Sequence, residues 1–278
     1  MADGKMINIG CGAIHHPDWI NLDIASDDPA VMPVDITRGL PFASASVSVC
    51  YSSHVLEHMD RQAARFMLDE CFRVLQSGGV LRLVVPDLEA IAREYLTILE
   101  KLVQGDSSRA QDYDWIMLEM YDQVARNRAG GEMVTFLTRL APKSRGYVIS
   151  RIGDEAERIW ESAVATAKSA PSVTSMQAWH KRFNHFRLQL ASLIVRLIAG
   201  RAAATSLIRG VFRDSGEVHQ WMYDRYSLGR LLEQAGFTAV KVCKAHESSV
   251  VGFDAYDLDT KSGKVRKPDS LFIEALKP

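Results

Sequence analysis

The sequence of 278 residues has few cysteines, which are Cys11, Cys50, Cys71 and Cys243. Their spacing is not that of a metal site, and three of the four lie in apolar stretches where a reduced thiol simply packs. This scarcity excludes a disulfide framework. We therefore expect reduced thiols, no bound metal ion and a cytoplasmic location.

Long uncharged apolar runs are also missing. No apolar N-terminal segment with a cleavage site is present, and the most apolar run, LQLASLIVRLIAG, is short and contains Arg196. We therefore expect no membrane-spanning segment. The remaining composition, 47% hydrophobic and 24% charged, is typical of a globular chain with one large domain or one domain carrying an insertion.

Acidic residues are absent between Ser162 and Arg213. This segment carries a charge of +8 and the rest of the chain −9; its basic residues are Lys168, Lys181, Arg182, Arg187, Arg196, Arg201, Arg209 and Arg213. So uneven a distribution of charge indicates an anionic partner, unless these residues pair with acids of the main domain. Nucleic acid is not expected, because the basic residues alternate with aliphatic side chains rather than with aromatic ones.

Within this segment one predicted helix has an apolar stripe, formed by Leu190, Leu193, Ile194, Leu197 and Ile198, and it is flanked by Arg187, Arg196 and Arg201. Such a helix can lie on an anionic membrane, here at the inner face of the cytoplasmic membrane, or it can cover the rest of the protein. No oligomeric state follows from the sequence.

Short aliphatic runs predict five early strands: Met6–Ile9, Trp19–Ile24, Val31–Val34, Val47–Tyr51 and Val80–Val85. Between the last two, apolar residues recur at helical spacing, with Asp60 as N-cap and Gly78 and Gly79 as the end. Strand, helix and strand form a βαβ unit, so we predict an α/β fold with a parallel sheet covered on both faces. Helical patterns then continue to Arg213, and a last helix (capped by Ser227) and two strands follow. The predicted parts are 1–88 and 216–278 for the sheet domain and 89–215 for a helical insertion that forms a lid over the site.

The segment MINIGCGAIHHPDWINLD joins a strand to a loop with two glycines, Gly10 and Gly12, and then to Asp23. Glycines after a strand let backbone N–H groups approach a ligand, and an acid at the end of the next strand can accept both ribose hydroxyls. A dinucleotide site would need a third glycine where His15 stands and a longer distance to the acid. The stretch 13–18 is too short for a helix, so we expect a turn there.

Two further motifs, VDITRGLPF and SSHVLEH, follow this loop. Together the three resemble the class I S-adenosylmethionine-dependent methyltransferases, in a type 11-like subgroup similar to enzymes associated with bacterial surface polysaccharide synthesis. The resemblance covers residues 6–86 closely and 217–278 loosely. It implies a Rossmann-like sheet with helices on both faces, and S-adenosylmethionine as cofactor. The cofactor contacts that it implies are Gly10, Cys11, Gly12, Asp23, Asp35, Ile36, Ser52, Ser53 and His54.

Methyl transfer to a hydroxyl is helped by a base near neutral pKa, for which histidine is the usual residue. The candidates are His54, His58 and His219, in falling order of expected proximity to the cofactor, although each could instead cap or pack. Candidate sugar-binding residues are Tyr121, Asp122 and Arg126, next to Gly130 and Gly131, together with Trp221 and Tyr223. These residues could equally form a solvated helix face and a packed seam.

We therefore expect O-methylation of a sugar in a cell-surface glycan or glycolipid precursor. Two alternatives stay open: a methyltransferase of a small hydroxylated metabolite, and an S-adenosylmethionine-binding scaffold without turnover. The methylated atom cannot be read from the sequence.

Overall fold

The computed structural model describes residues 4–168 and 176–278, and only the backbone of residues 162–168 and 176–185. Its strands are β1 (Lys5–Ile9), β2 (Ile20–Asp23), β3 (Val31–Pro33), β4 (Val47–Ser53), β5 (Leu75–Pro86), β6 (Thr238–Cys243), β7 (Thr260–Lys261), β8 (Lys264–Val265) and β9 (Ser270–Leu276). Seven of them form one sheet in the order β3-β2-β1-β4-β5-β9-β6, and β7 and β8 form a small hairpin. The five strands from β3 to β5 are parallel, and β9 runs antiparallel to both of its neighbours.

The helices are α1 (Arg61–Val74), α2 (Leu88–Val103), α3 (Ala110–Ala125), α4 (Gly131–Arg139), α5 (Arg145–Ile152), α6 (Asp154–Lys168), α7 (Met176–Arg213) and α8 (Arg225–Gln234). Helices α2 to α7 interrupt the sheet between β5 and β6, and the described residues of 88–213 contain no strand. The α/β fold with a mostly parallel sheet and a large helical insertion is confirmed.

Local sequence explains where the flanking helices begin. The Asp60 carboxylate accepts hydrogen bonds from the backbone of Gln62 and Ala63, as predicted for the start of α1. The end of α1 differs from the prediction, because Leu75 is already extended and opens β5 three residues before Gly78. In α8 the N-cap is Asp224 rather than Ser227, which occupies the third helical position and completes a reciprocal capping box.

Both faces of the sheet are covered, because alternate residues of the central strand β5 enter different cores. Leu81, Leu83 and Val85 pack on one face with the inner side of α1 and α8. Val80 and Val84 pack on the other face with an aromatic group that includes Trp19, Tyr51 and Phe253. All four cysteines are free and buried, as expected for packing thiols.

A fully buried ion network that the sequence analysis did not predict lies under the sheet. The Arg82 guanidinium is 2.8 Å from Oδ2 of Asp259 and 2.8 Å from Oε1 of Glu274, and it also donates to three backbone carbonyls of the 244–247 loop. Tyr51 completes the network by donating from its hydroxyl to Asp259 Oδ1 at 2.6 Å. The network fixes the loops after β6 and before β7 to the central strand.

Among the described side chains of helix α7, all but Ala204 are exposed or half-buried. The helix is broken at Gly200, whose φ of 84° and ψ of 176° are not helical. Its part Phe186–Arg213, which contains the run LQLASLIVRLIAG that was predicted to be too short, is long and apolar enough to cross a membrane by length and composition alone. Only 6% of its apolar window is buried, and the predicted stripe points outward.

Candidate cofactor and acceptor site

The glycine loop after β1 is built to leave its backbone accessible. Gly10 and Gly12 have φ of 68° and 52°, in the left-handed region that favours glycine. A Cβ added at Gly10 would lie 2.2 Å from Cγ2 of Val55, so no side chain fits there. The loop is held by the buried Asn8 amide, which donates to the Ile14 carbonyl at 3.1 Å. Residues 13–18 contain turns and no helix, as predicted.

Two carboxylates lie at the ends of the neighbouring strands. Asp23 ends β2, and its Oδ2 accepts from Gly12 N at 2.8 Å while its Oδ1 accepts from Ala25 N at 3.0 Å. Asp35 follows β3, and hydrogen bonds from Thr37, assisted by Arg38, lower its pKa below the usual range. Both side chains are therefore held in place by backbone donors, with lone pairs left for a ligand.

Two adjoining cavities open at these strand ends. One, of about 380 Å³, is lined by residues that include Gly10, Asp23, Asp35, Ile36, His54 and His58. The other, of about 200 Å³, shares Gly10 and His54 and adds Cys11, Gly12, Ser53 and, from helix α6, Arg158. The predicted cofactor residues thus meet at one place, with one correction. Ser52 is buried and donates to the Ile9 carbonyl at 3.0 Å, so it supports the loop from below instead of lining a cavity.

His54 occupies a strained position at the end of β4. Its φ of 55° is uncommon for a residue other than glycine. Its Nδ1 lies 3.1 Å from Oε1 of Glu57, and its Nε2 lies 2.9 Å from the Ser270 hydroxyl. Nε2 therefore has a hydrogen-bond partner and Nδ1 lies close to a carboxylate, and the ring lies at the wall between the two cavities.

Glu57 is a site residue that the sequence analysis missed, although it stands inside the SSHVLEH motif. Its side chain is fully buried. Burial alone would raise its pKa, but the His54 imidazole, 3.1 Å away, outweighs that effect and holds the pKa at about 2. A buried, ionised carboxylate thus lies among three imidazoles.

His58 and His219 complete this cluster. Their rings pack edge to face, with centroids 4.6 Å apart. Burial lowers the pKa of both, to about 3 for His219, so both are neutral at neutral pH. His58 lines the larger cavity, whereas His219 is only 2% exposed. The three predicted histidines are brought together, with His219 the least accessible.

None of the residues predicted to bind sugar lines either of the two cavities at the strand ends. Asp122 accepts from the backbone of Glu132 at 2.7 Å and pairs with Arg126 at 2.8 Å, so its carboxylate starts helix α4. Tyr121 is 57% exposed. A cavity of about 570 Å³ beside them is lined by residues that include Asp122, Arg126, Arg128, Glu132 and Arg209.

The aromatic candidates lie elsewhere. Trp221 and Tyr223 border a fourth cavity, of about 260 Å³, together with Arg61 and Arg230. Tyr223 is 3% exposed and packs in the main core, while Trp221 stacks under the Arg61 guanidinium at 5.0 Å. The chain nevertheless ties this segment to the histidine cluster, because the backbone N–H groups of Gln220 and Trp221 donate to the Glu57 carbonyl.

Residues 17–83 match a family of methyltransferase domains (Methyltransf_11). No curated protein matches the chain. Among solved structures, an S-adenosylmethionine-dependent methyltransferase from Archaeoglobus fulgidus matches with 12% identity over 99% of this chain and 86% of its own, at a TM-score of 0.39. One from Thermotoga maritima, a possible histamine N-methyltransferase, matches with 11% identity. That match covers 100% of this chain and 84% of the other, at a TM-score of 0.37.

A Haloferax volcanii chain, solved as a complex between the Trm112 methyltransferase activator and a methyltransferase, matches with 18% identity at a TM-score of 0.26. That match covers 34% of this chain and half the length of the other. Scores this low carry no information on substrate. With the domain match over residues 17–83 and the sheet order above, the chain is an enzyme that carries a methyltransferase domain of the class I fold and uses S-adenosylmethionine as its cofactor.

Proposed function

We propose that this enzyme transfers the methyl group of S-adenosylmethionine to a sugar hydroxyl in a cell-surface glycan or glycolipid precursor. The observation that carries O-methylation is the cluster of Glu57 and three histidines beside the glycine loop. Asp23 and Asp35 mark the ribose and adenine side of the larger cavity, which leaves the histidine side for the sulfonium and the acceptor. A hydroxyl needs a base, and the cluster supplies one.

In this reaction the acceptor oxygen attacks the methyl carbon as the bond from carbon to sulfur breaks, and the hydroxyl proton moves to a base. His54 has the best placement for that role. The Glu57 carboxylate lies 3.1 Å from Nδ1, and Nε2 lies 2.9 Å from a hydroxyl already, that of Ser270. The ionised Glu57 also stabilises the imidazolium that forms when His54 takes the proton.

Two features support a sugar as the acceptor: the resemblance to polysaccharide-associated enzymes, and the charged side chains that line the cavity between α3, α4 and α7. That cavity offers guanidinium and carboxylate groups on one open face, which suits a hydroxyl-rich ligand. Methylation of a small hydroxylated metabolite is the competing proposal, and a binding scaffold without turnover is the third.

We also propose that the enzyme works in the cytoplasm at the inner face of an anionic membrane, on which helix α7 docks. Before the break at Gly200, six apolar side chains of α7 point outward and are between 48% and 82% exposed. They are Phe186, Leu190, Leu193, Ile194, Leu197 and Ile198. They recur at intervals of three and four residues and so form one stripe. A stripe of this size in contact with water costs free energy, which insertion among lipid acyl chains removes.

Charge selects an anionic surface over a neutral one. Ser162–Arg213 contains no acid. In the described part of the chain, Arg196, Arg201 and Arg209 form no ion pair, in contrast to the paired Arg126 and Arg128. The predicted compensation by acids of the main domain is therefore not seen for these three; Lys168, Lys181 and Arg182 have side chains outside the described residues. Gly216, three residues after α7, lines the cofactor cavity, so a docked helix would hold the site near the membrane.

Sedimentation with vesicles tests the docking. The triple variant Arg196→Gln, Arg201→Gln, Arg209→Gln should bind phosphatidylglycerol vesicles roughly 100-fold more weakly, because each basic residue contributes about 1 kcal/mol at an anionic surface. The control, Lys241→Gln, Lys261→Gln, Lys264→Gln, makes the same charge change on exposed lysines elsewhere and should bind like the wild type. Equal binding to neutral and anionic vesicles, or a dimer that buries the helix and ignores lipid, would contradict the proposal.

The base is tested by formation of S-adenosylhomocysteine from S-adenosylmethionine and a lipid-linked glycan extract of bacterial cells. His54→Ala should lower the turnover rate by about 10²- to 10⁴-fold, the usual contribution of a general base. His246→Ala removes an exposed histidine away from the cluster and should leave the rate unchanged. A His54→Ala variant as active as the wild type would exclude His54 as the base.

A further inference from the structure

We propose that Glu57, His58 and His219 bind a divalent transition-metal ion of the zinc type. One potential ligand atom from each of these residues lies within 4.8 Å of the other two. Three ligands at about 2.1 Å from one ion stand about 3.4 Å apart, so small side-chain rotations would bring them into position. Two imidazoles and one carboxylate are a donor set that zinc and its neighbours prefer in proteins.

Unpartnered polar atoms point to a missing ligand independently of that geometry. Both carboxylate oxygens of Glu57 and the Nδ1 atoms of His58 and His219 are buried without a hydrogen-bond partner among the described residues. Oε1 of Glu57 is 3.1 Å from His54 Nδ1, but that contact lacks hydrogen-bond geometry. Because buried polar groups are nearly always satisfied, a group of four such atoms in one place requires an explanation.

The surroundings of the cluster are those of a metal site. Glu57 and His219 are 0% and 2% exposed, so the ligands are rigidly packed, whereas His58 faces the cavity of about 380 Å³. A bound ion would therefore border the space where an acceptor must lie.

The role of such an ion rests on the proposed function. A metal beside the acceptor would act as a Lewis acid that makes the hydroxyl more acidic, while His54 takes its proton. This arrangement would replace the prediction of a metal-free site and would make His58 and His219 ligands rather than bases.

Cobalt titration tests metal binding without any acceptor, so its outcome is separate from that of the proposed function. Protein prepared without a histidine tag and freed of metal by a chelator is titrated with Co²⁺, and ligand-field absorption in the visible range is recorded. We expect saturation at one ion per chain, and Zn²⁺ should displace the signal. The cysteines are all buried and free, so they offer no competing exposed thiol site.

Variants assign the ligands. Glu57→Gln and His219→Ala should each weaken Co²⁺ binding by at least about tenfold, since loss of even an outer-shell group costs that much. His246→Ala, which removes an exposed histidine, is the matched control and should bind like the wild type. Titration with S-adenosylmethionine shows whether a variant has folded. If His219→Ala does not fold, His219→Gln is used in its place. No saturable Co²⁺ binding in the folded wild type, or equal loss in His246→Ala, would overturn the inference.

Discussion

Asp23 is the residue on which cofactor binding should depend most. Its two carboxylate oxygens each accept one backbone hydrogen bond, from Gly12 at 2.8 Å and Ala25 at 3.0 Å. A carboxylate has about four lone-pair sites, so each oxygen retains one for a ribose hydroxyl of S-adenosylmethionine. Replacing Asp23 by alanine removes both of these contacts and also one anchor of the glycine loop.

The expected loss can be worked out from these contacts. A hydrogen bond to a charged group contributes about 1.5–3 kcal/mol, so two bonds to ribose amount to about 3–6 kcal/mol. This corresponds to an increase in Kd of roughly 10²- to 10⁴-fold for Asp23→Ala. Asp23→Asn keeps one acceptor oxygen and loses the charge, so its Kd should lie between those of the wild type and Asp23→Ala.

Isothermal titration calorimetry with S-adenosylmethionine measures this loss directly. Asp27→Ala is the control, because it removes an acid four residues away that forms no contact with the glycine loop in the described structure. Thermal unfolding of each variant checks that the loop and sheet remain folded. An Asp23→Ala protein that binds S-adenosylmethionine as tightly as the wild type would refute the assignment of the ribose site.

Three further predictions concern residues that hold the site in place. Arg82→Met should lower the free energy of unfolding by about 3–5 kcal/mol in chemical denaturation, because it leaves Asp259 and Glu274 buried without their partner; a loss under about 1 kcal/mol would contradict this. Hydrogen bonds from Arg73 lower the pKa of Glu70 below its ordinary 4.5. The difference in Tm between the wild type and Glu70→Gln should therefore be largest above pH 4.5 and should shrink as the pH falls through the lowered pKa. A Tm difference that does not change with pH would contradict this stabilisation by the ionised Glu70. Asp122→Ala should destabilise the insertion by about 1–2 kcal/mol through loss of the α4 cap, and an unchanged KM for acceptor would make its role purely structural.

The parts of this molecule that were predictable from sequence are those that depend on near neighbours. The glycine loop, the acids at the ends of β2 and β3 and the N-cap Asp60 are each defined by residues a few positions apart. Apolar runs separated by one helical pattern were enough to predict the parallel sheet, because a βαβ unit has only one common arrangement. The cofactor side of the site follows from these local features, since the carboxyl ends of parallel strands meet at one edge.

The rest depends on contacts between distant positions. Arg82 meets Asp259 and Glu274, 177 and 192 residues further along the chain, and nothing in the local pattern of β5 distinguishes this arginine from a surface residue. Glu57 was overlooked because a glutamate between two histidines reads as a solvated residue until its burial is known. Ser52 and Asp122 were predicted to contact a ligand, but each side chain instead forms a hydrogen bond with backbone that is distant in sequence or in another element.

Mass spectrometry of glycans tests the central claim most directly. Purified enzyme is incubated with S-adenosylmethionine carrying a deuterated methyl group and a lipid-linked glycan extract of bacterial cells, and the products are analysed by fragmentation. The account predicts one deuterated methyl ether on a sugar residue, formed together with S-adenosylhomocysteine and absent with His54→Ala. Deuterated methyl groups found only on a small metabolite, or S-adenosylmethionine bound without any transfer, would contradict it.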